Sequence, residues 1–283
     1  MTQITYITTC KGRLAHLKQT LPRAVAQGFP CIVVDYSCPE GTGGWVEANF
    51  PQVKVVRVEG EPGFSAARAR NAGAAVAQTP WLGLFDADIL LSDNFAAAIE
   101  PMLGGGNFYR AAPVTRQTWG SIVCAREDFA SIGGYDEAYA GWSGEDDDLV
   151  HALLHLGRRQ AGFAAALVGE ISHSNELRIK FHALQDMALQ HRINHTFMNV
   201  KFDMLRLTGR AIAVGDRKAV YERISRALVT AQQSGGRAPV VIEIPMPGVI
   251  IEGPPGEDGT RGGEVAVLRR KLTYTLNVAR TEG

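Results

Sequence analysis

The chain has 283 residues, 46% of them hydrophobic and 20% charged, with a formal net charge of +0 at pH 7. That balance excludes a disordered or collagen-like chain, and the zero net charge excludes a global field that would steer it to nucleic acid or membrane. No apolar run reaches the ~18–20 residues of a membrane span and no signal peptide pattern opens the chain, so a soluble cytoplasmic protein is the expectation. Four cysteines (Cys10, Cys31, Cys38, Cys124) show no CxxC spacing, which argues against zinc. Cys31 and Cys124 fall in apolar runs and read as reduced core residues.

Ile4 to Thr9 alternates and is β-rich, so it reads as a first strand. Leu14 to Ala26 carries Leu14, Leu17, Leu21 and Val25 at helical spacing, with a kink or restart expected at Pro22. Cys31 to Asp35 is a second strand, Ser37 to Gly44 a loop and Trp45 to Phe50 a short helix. Val53 to Val58 is a third strand, and Ser65 to Gln78 an Ala-rich helix. Thr79-Pro80 then opens a fourth strand, Trp81-Leu-Gly-Leu-Phe-Asp86, because proline is tolerated at a strand's start. The order βαβαβαβ with short connections implies a mostly parallel sheet with right-handed crossovers. No GxGxxG follows the first strand, which disfavours a dinucleotide fold of the NAD type.

The fourth strand runs into Asp86-Ala-Asp88. Open α/β sheets place ligands at the carboxyl ends of their strands, and residues two apart share a face on a continuing strand. Two hard oxygen ligands there suit Mg²⁺ or Mn²⁺ carrying substrate phosphates; a strand-ending turn is the bland alternative.

Phe95 to Leu103 reads as a helix, 108–112 and 121–124 as strands, and 127–132 as a helical turn. Gly141-Trp-Ser-Gly-Glu-Asp-Asp-Asp148 then leads into an apolar helical face, which puts its acids in the first turn. Ser143-x-x-Asp146 matches a capping pattern and acids complement the helix dipole, yet four in a row repel, so a cation, a donor or a reacting hydroxyl competes as the explanation. Phe163 to Val168 is a strand followed by Glu170 and His173, a further metal-ligand candidate at a strand end. One long helical stretch is expected from about 176 to 207, with His182, His191 and His195 as surface or packing residues. A helix from Tyr221 to Gln232, a linker at 233–239, strands at 240–244, 249–251 and 265–278, and a mobile Gly/Pro-rich loop at 253–263 complete the chain. Arg178, Lys180, Arg192, Lys201, Arg206, Arg210, Arg217 and Lys218 form either a basic face for a polyanionic or lipid-phosphate acceptor or a solvated helix surface.

Taken together, Thr8-Thr-Cys-Lys-Gly-Arg13, Asp35, Ser65-Ala-Ala-Arg-Ala-Arg-Asn71-Ala-Gly73, Phe85-Asp-Ala-Asp88 and Gly133 to Asp148 resemble glycosyltransferase family 2. The last segment resembles the β-1,4-galactosyltransferase group. The resemblance covers the first ~180 residues and implies a GT-A fold: a Rossmann-like, mostly parallel mixed sheet flanked by helices. It implies a catalytic domain at 1–180, with a helical extension at 181–235 and a β-rich appendage at 236–283 left outside it. By the same resemblance, Thr8, Thr9, Lys11, Arg13, Asp35, Phe64, Arg68, Asn71, Asp86 and Asp88 would bind the nucleotide-sugar, Asp35 through uracil. Asp88 and His173 would hold Mn²⁺ (or Mg²⁺), with Glu170 at the position of the galactosyltransferase methionine ligand. Asp146, with Glu145, would be catalytic, and Tyr135, Trp142, Gly144 and Asp147 would shape the acceptor and donor-sugar site.

The implied function is transfer of a hexose or N-acetylhexosamine from a UDP-sugar to an acceptor hydroxyl with inversion. The acceptor is open among a glycan, a peptide, a small molecule and a modified nucleic acid. A retaining transferase or a pyrophosphorylase-like enzyme is the alternative within the fold, and a non-catalytic carbohydrate- or nucleotide-binding domain the alternative outside it.

Overall fold

A computed structural model describes residues 3–235, 239–252 and 265–277. The chain divides into two compact units, 1–198 and 199–283.

The first unit is built on a seven-stranded mixed sheet. Its strands are β1 (Ile4–Cys10), β2 (Cys31–Tyr36), β3 (Lys54–Val58), β4 (Trp81–Asp86), β6 (Asn107–Ala112), β7 (Ile122–Ala125) and β8 (Arg159–Ala164), in the spatial order β3-β2-β1-β4-β7-β6-β8. The first four are mutually parallel, β7 runs antiparallel to β4 and β6, and β8 is parallel to β6. β1 is buried along its whole length, as a strand covered on both faces must be. β5 (Ile89–Leu91) and β9 (Val168–Glu170) form a separate antiparallel pair, so His173 is carried back toward the end of β4.

Helices α1 (Leu14–Ala26), α2 (Thr42–Asn49) and α3 (Ala66–Ala74) are the crossovers. α1 is continuous through Pro22, so the helix does not restart there. The carbonyl that loses its partner belongs to Lys18, which is exposed and can turn to water. α2 begins at Thr42, earlier than expected, because the Gly43 amide donates to Asp35 Oδ2 at 2.7 Å and starts the helix inside the predicted loop. α4 (Phe95–Ile99) ends in a 3₁₀ turn, and α5 (Arg126–Ser131) follows β7. The sheet's two faces bury separate cores. One gathers Tyr6, Phe85, Phe95 and Phe163 with α1, and the other Ile7, Val34, Leu82 and Leu149 with α3 and α6 (Glu145–His155).

Two further expectations are corrected. The strand at 163–168 is divided, with β8 ending at Ala164 and a 3₁₀ turn leading to β9. The single helix at 176–207 is two, α7 (Asn175–Ile179) and α8 (Met187–Thr208). Asp186 accepts the Leu189 amide at 2.9 Å and starts α8 afresh.

In the second unit, α9 (Val214–Gln233) packs on β10 (Val240–Glu252), which pairs antiparallel with β11 (Val265–Leu276). Val240, Ile242 and Ile244 are buried while Val241 and Glu243 face out, the period of a one-sided strand. The two strands expected at 240–244 and 249–251 are one, with an irregularity between Met246 and Val249. The loop expected at 253–263 lies outside the described residues. No described helix is long and apolar enough to cross a membrane.

Candidate functional site

A cleft of about 600 Å³ opens at the carboxyl ends of β1 and β4. One wall carries Thr9, Lys11, Arg13, Phe64, Asp88 and His173, with Phe181 and His182 above them; the other carries Arg70, Asp86, Trp119, and Trp142 to Asp147.

Asp86 and Asp88 do not share a face. β4 ends at Asp86 and a turn carries Asp88, so the two carboxylates point to opposite walls. Asp86 Oδ1 accepts from Arg70 Nη2 at 2.5 Å. Asp88 Oδ2 lies 2.6 Å from His173 Nε2 and 3.6 Å from Arg13 Nη1.

Arg70, on α3, organises the second wall. It is 2% exposed, and its Nη1 donates to Asp146 Oδ1 at 2.7 Å and stands 3.7 Å from Glu145 Oε1. Its guanidinium lies over the Tyr135 ring, 5.1 Å from the centroid, and the Tyr135 hydroxyl donates to Asp146 Oδ1 at 3.0 Å. Burial alone would lower the guanidinium's hold on its proton, but the surrounding acids and Tyr135 outweigh it and raise the group well above its ordinary range. Burial pushes both acids upward: Asp146 is raised, with Arg70 offsetting part of the shift, and Glu145 rises to about 8 through burial and the neighbouring Asp146. Burial also raises the Tyr135 phenol, so its proton stays in place to donate.

Gly120 closes over this group. A Cβ there would sit 2.8 Å from Asp146 Oδ2 and 3.0 Å from Arg70 Nη2, so only hydrogen fits. Asn71, one residue after Arg70, accepts the Tyr135 amide at 2.9 Å and donates to the Tyr135 carbonyl at 3.0 Å. It is a clamp that sets Tyr135 under the guanidinium, and it lies outside the cleft lining.

The loop at 140–144 is held by α8. Asn194 donates to the carbonyls of Ala140, Trp142 and Ser143, and Gln190 accepts the Trp142 amide. Gly144 precedes the first turn of α6 at φ 96°, a conformation side chains rarely adopt, and a Cβ there would meet Asn194 at 2.7 Å. Ser143 is therefore not the helix cap expected of it; its Oγ lies 3.0 Å from His191 Nδ1 and 3.4 Å from His195 Nε2. His182, His191 and His195, expected on the surface or in packing, line the cleft. His195 Nε2 is 3.5 Å from Asp147 Oδ2, and Asp147 Oδ1 accepts from Trp119 Nε1 at 2.8 Å.

Of the residues expected at the nucleotide, Lys11 is in the cleft lining, whereas Asp35, Arg68 and Thr8 are outside it. Asp35 uses both oxygens on backbone amides, those of Cys38 at 2.8 Å and Gly43 at 2.7 Å. Arg68 pairs with Glu61 on the surface, and Thr8 is buried within β1. Lys11 is buried, and its ammonium donates to the carbonyls of Tyr36, Ser37 and Glu61. Glu170 is half-buried at the end of β9, outside the cleft lining.

For a divalent cation, the first wall is the fitting one. His173 Nδ1 lies 3.2 Å from the Ser174 carbonyl and its Nε2 lies at hydrogen-bonding distance, 2.6 Å, from Asp88 Oδ2. A carboxylate beside an imidazole is a pair of ligand types that suits Mn²⁺. Burial works against the Asp88 charge, but His173 and Arg13 outweigh it and keep the carboxyl below its ordinary range. No cluster of three His, Cys, Asp or Glu ligands stands ready among the described residues, so the remaining positions would fall to substrate phosphates and water.

Comparison with known proteins bears on the family and the fold. Residues 5–108 match the family model described as glycosyl transferase family 2, and residues 108–178 match the model described as the N-terminal domain of galactosyltransferase. Mouse beta-1,4-galactosyltransferase 1 is 30% identical over 114 residues, 40% of this chain; the match spans 28% of that protein's length. Among solved structures, the mannosyltransferase PcManGT from Pyrobaculum calidifontis, in complex with GDP-Man and Mn²⁺, superposes with a TM-score of 0.50 at 17% identity, covering 84% of this chain and 76% of its own. S. aureus TarS (1–349) superposes with a TM-score of 0.52 at 12% identity, covering 83% and 74%. At these identities the likeness is one of fold, and the fold is GT-A.

Proposed function

From a chain that joins a glycosyltransferase family 2 region to a galactosyltransferase-like segment, we infer a metal-dependent glycosyltransferase. It transfers a hexose or N-acetylhexosamine from a UDP-sugar to an acceptor hydroxyl and inverts the anomeric centre. The observation that carries this reading is Arg70, which ties the strand-end Asp86 to Asp146 on α6 and so holds the candidate base in the same cleft as Asp88 and His173.

Asp88 and His173 would hold Mn²⁺ (or Mg²⁺), which when bound supplies charge neutralisation at the leaving diphosphate. Asp146 Oδ1 is taken by Arg70 and Tyr135, so Oδ2 is the oxygen left to receive the acceptor's proton. Burial raises the Asp146 carboxyl and so makes its carboxylate a stronger base, with Arg70 offsetting part of that rise. Glu145, pushed up to about 8, retains its proton at neutral pH and acts as a donor to a sugar hydroxyl. Trp119 and Trp142 offer flat apolar faces for a sugar ring beside that base. Attack by the hydroxyl from the Asp146 wall, with the diphosphate leaving toward the Asp88 wall, is a single displacement.

The test is calorimetric titration of UDP and GDP, each with and without Mn²⁺, followed by NMR of the product anomer. Mn²⁺-dependent binding of UDP with an inverted product is the expected result. Binding of GDP instead would move the donor class toward that of the mannosyltransferase neighbour, and a retained anomer would rule out single displacement. A binding module without catalysis would keep its ligand affinity and show no turnover to lose on substituting Asp146.

A further inference from the structure

We propose that Cys38 and Cys10 form an oxidation-sensitive thiol pair beside the cleft, in which Cys38 attacks a hydroperoxide and Cys10 resolves the product to a disulfide. The pair stands on geometry that the transfer reaction does not use. Cys10 ends β1 and is fully buried; Cys38 follows β2 and is half-buried; the two strands are parallel neighbours, with Cys10 in register with Asp35. The Thr42 hydroxyl lies 3.1 Å from both sulfurs. A hydroxyl has one proton, so it donates to one of the two sulfurs at a time.

The asymmetry falls on Cys38. Its sulfur receives the Gly12 backbone N–H at 3.2 Å as well as the hydroxyl, while its own amide is anchored on Asp35 Oδ1 at 2.8 Å. The Cys10 S–H, the largest cause, together with Thr42 and the backbone amides, brings the Cys38 thiol down to about 5. Sharing that proton, and then burial, drives Cys10 far up. The other two cysteines serve as internal controls: burial pushes Cys31 and Cys124 up to about 12, and the Cys31 thiol donates to the Phe29 carbonyl. One thiol of four is therefore a thiolate at neutral pH, and a second stands next to it.

The chemistry balances with a hydroperoxide as the only co-reactant. The Cys38 thiolate forms an S–O bond as the O–O bond breaks, hydroxide leaves, and Cys38 becomes a sulfenic acid while the peroxide is reduced. The Cys10 sulfur then forms an S–S bond as the S–O bond breaks, and the departing hydroxide takes the Cys10 proton as water. Two thiols and one hydrogen peroxide give one disulfide and two waters.

The consequence for the cleft rests on the donor reading given above. Lys11, Gly12 and Arg13 directly follow Cys10, and Lys11 and Arg13 line the cleft. A disulfide sulfur is a poorer acceptor than a thiolate, so the Gly12 amide loses its partner. The loop has no slack to absorb this, because Gly12 is packed beneath the Phe181 ring. Oxidation therefore weakens donor binding, and reduction restores it.

The experiment uses the full chain, reduced and then treated with hydrogen peroxide, alongside Cys10→Ser and Cys38→Ser. Iodoacetamide should alkylate Cys38 with a half-maximal rate near pH 5, while Cys31 and Cys124 stay unmodified until the chain is denatured. Peptide mapping should find a Cys10–Cys38 disulfide in the wild type and, in Cys10→Ser, a Cys38 sulfenate trapped by dimedone. Alkylation of Cys38 only above about pH 8.5, the range of an ordinary thiol, overturns the proposal. So does an oxidation product that Cys10→Ser leaves unchanged. UDP titration with Mn²⁺ should show at least a tenfold loss of affinity on oxidation, reversed by dithiothreitol and absent in both variants. Unchanged affinity with the disulfide formed overturns the coupling to the cleft. If the reduced protein binds no nucleotide, the donor reading fails, and the alkylation and mapping results decide the thiol pair independently.

Discussion

The two walls of the cleft balance their charge differently. On the Arg70 wall, Asp86, Glu145 and Asp146 surround a buried guanidinium that is itself seated on Tyr135, so the wall is complete as folded. On the Asp88 wall, a carboxylate and an imidazole face each other with Arg13 at 3.6 Å, an arrangement that a cation would finish. One wall is held together by a buried guanidinium among acids, and the other by a carboxylate–imidazole contact. The lesson is that acids two residues apart in sequence need not act together: Asp86 pairs with Arg70 and Asp88 with His173.

The largest expected effect is on the complete wall. Asp146→Asn should lower turnover by about 10²–10⁴-fold, the usual contribution of a general base, while UDP affinity by calorimetry stays within about twofold. Equal losses in both would merge the two walls into one. Arg70→Met should cost about 3–5 kcal/mol of stability in urea denaturation, because it leaves several acids without their cation. Asp88→Asn should act on the other wall only, weakening Mn²⁺-dependent UDP binding by at least about tenfold with little change in melting temperature. Gly120→Ala should destabilise by about 1–3 kcal/mol through its contact with Asp146 and Arg70, and lower kcat more than it raises KM.

A further expected effect is a pH slope. Glu145 holds its proton up to about pH 8 when folded, whereas the unfolded chain releases it near 4.5. Between those values the folded state binds the extra proton, so stability falls as pH rises. Glu145→Gln should flatten the change in melting temperature between pH 5 and pH 8; an unchanged slope would place the titrating group elsewhere.

Much of the first unit was legible because its signals are local. Alternation marked β1, the apolar run marked β4, and acids at strand ends marked the cleft. Arg70 escaped because the Ala-rich helix carries two arginines two residues apart, nearly opposite around its axis, and the reading chose the outward one, Arg68. A signal was present: Ala67, Arg70 and Ala74 are spaced as a buried stripe, and a charge on that stripe calls for a partner. Asp35 and Asn71 were named through the family resemblance; that Asp35 accepts from two backbone amides and Asn71 brackets the Tyr135 backbone is a set of contacts no motif displays. The histidines of α8 stand too far along the chain for spacing to join them to the acids. The break that aims them was written in Asp186, a capping residue read as helix interior.

The grip of α8 on the glycine loop makes the molecule modular in inheritance. Gln190 and Asn194 lie beyond residues 5–178, where the two family models match, yet they set where Trp142 and Ser143 stand. A variant that keeps every residue of 5–178 can still shift Trp142 and Ser143 through a change in α8 alone. Chimeras joined near residue 180 would inherit the chemistry from one parent and the shape of its entrance from the other.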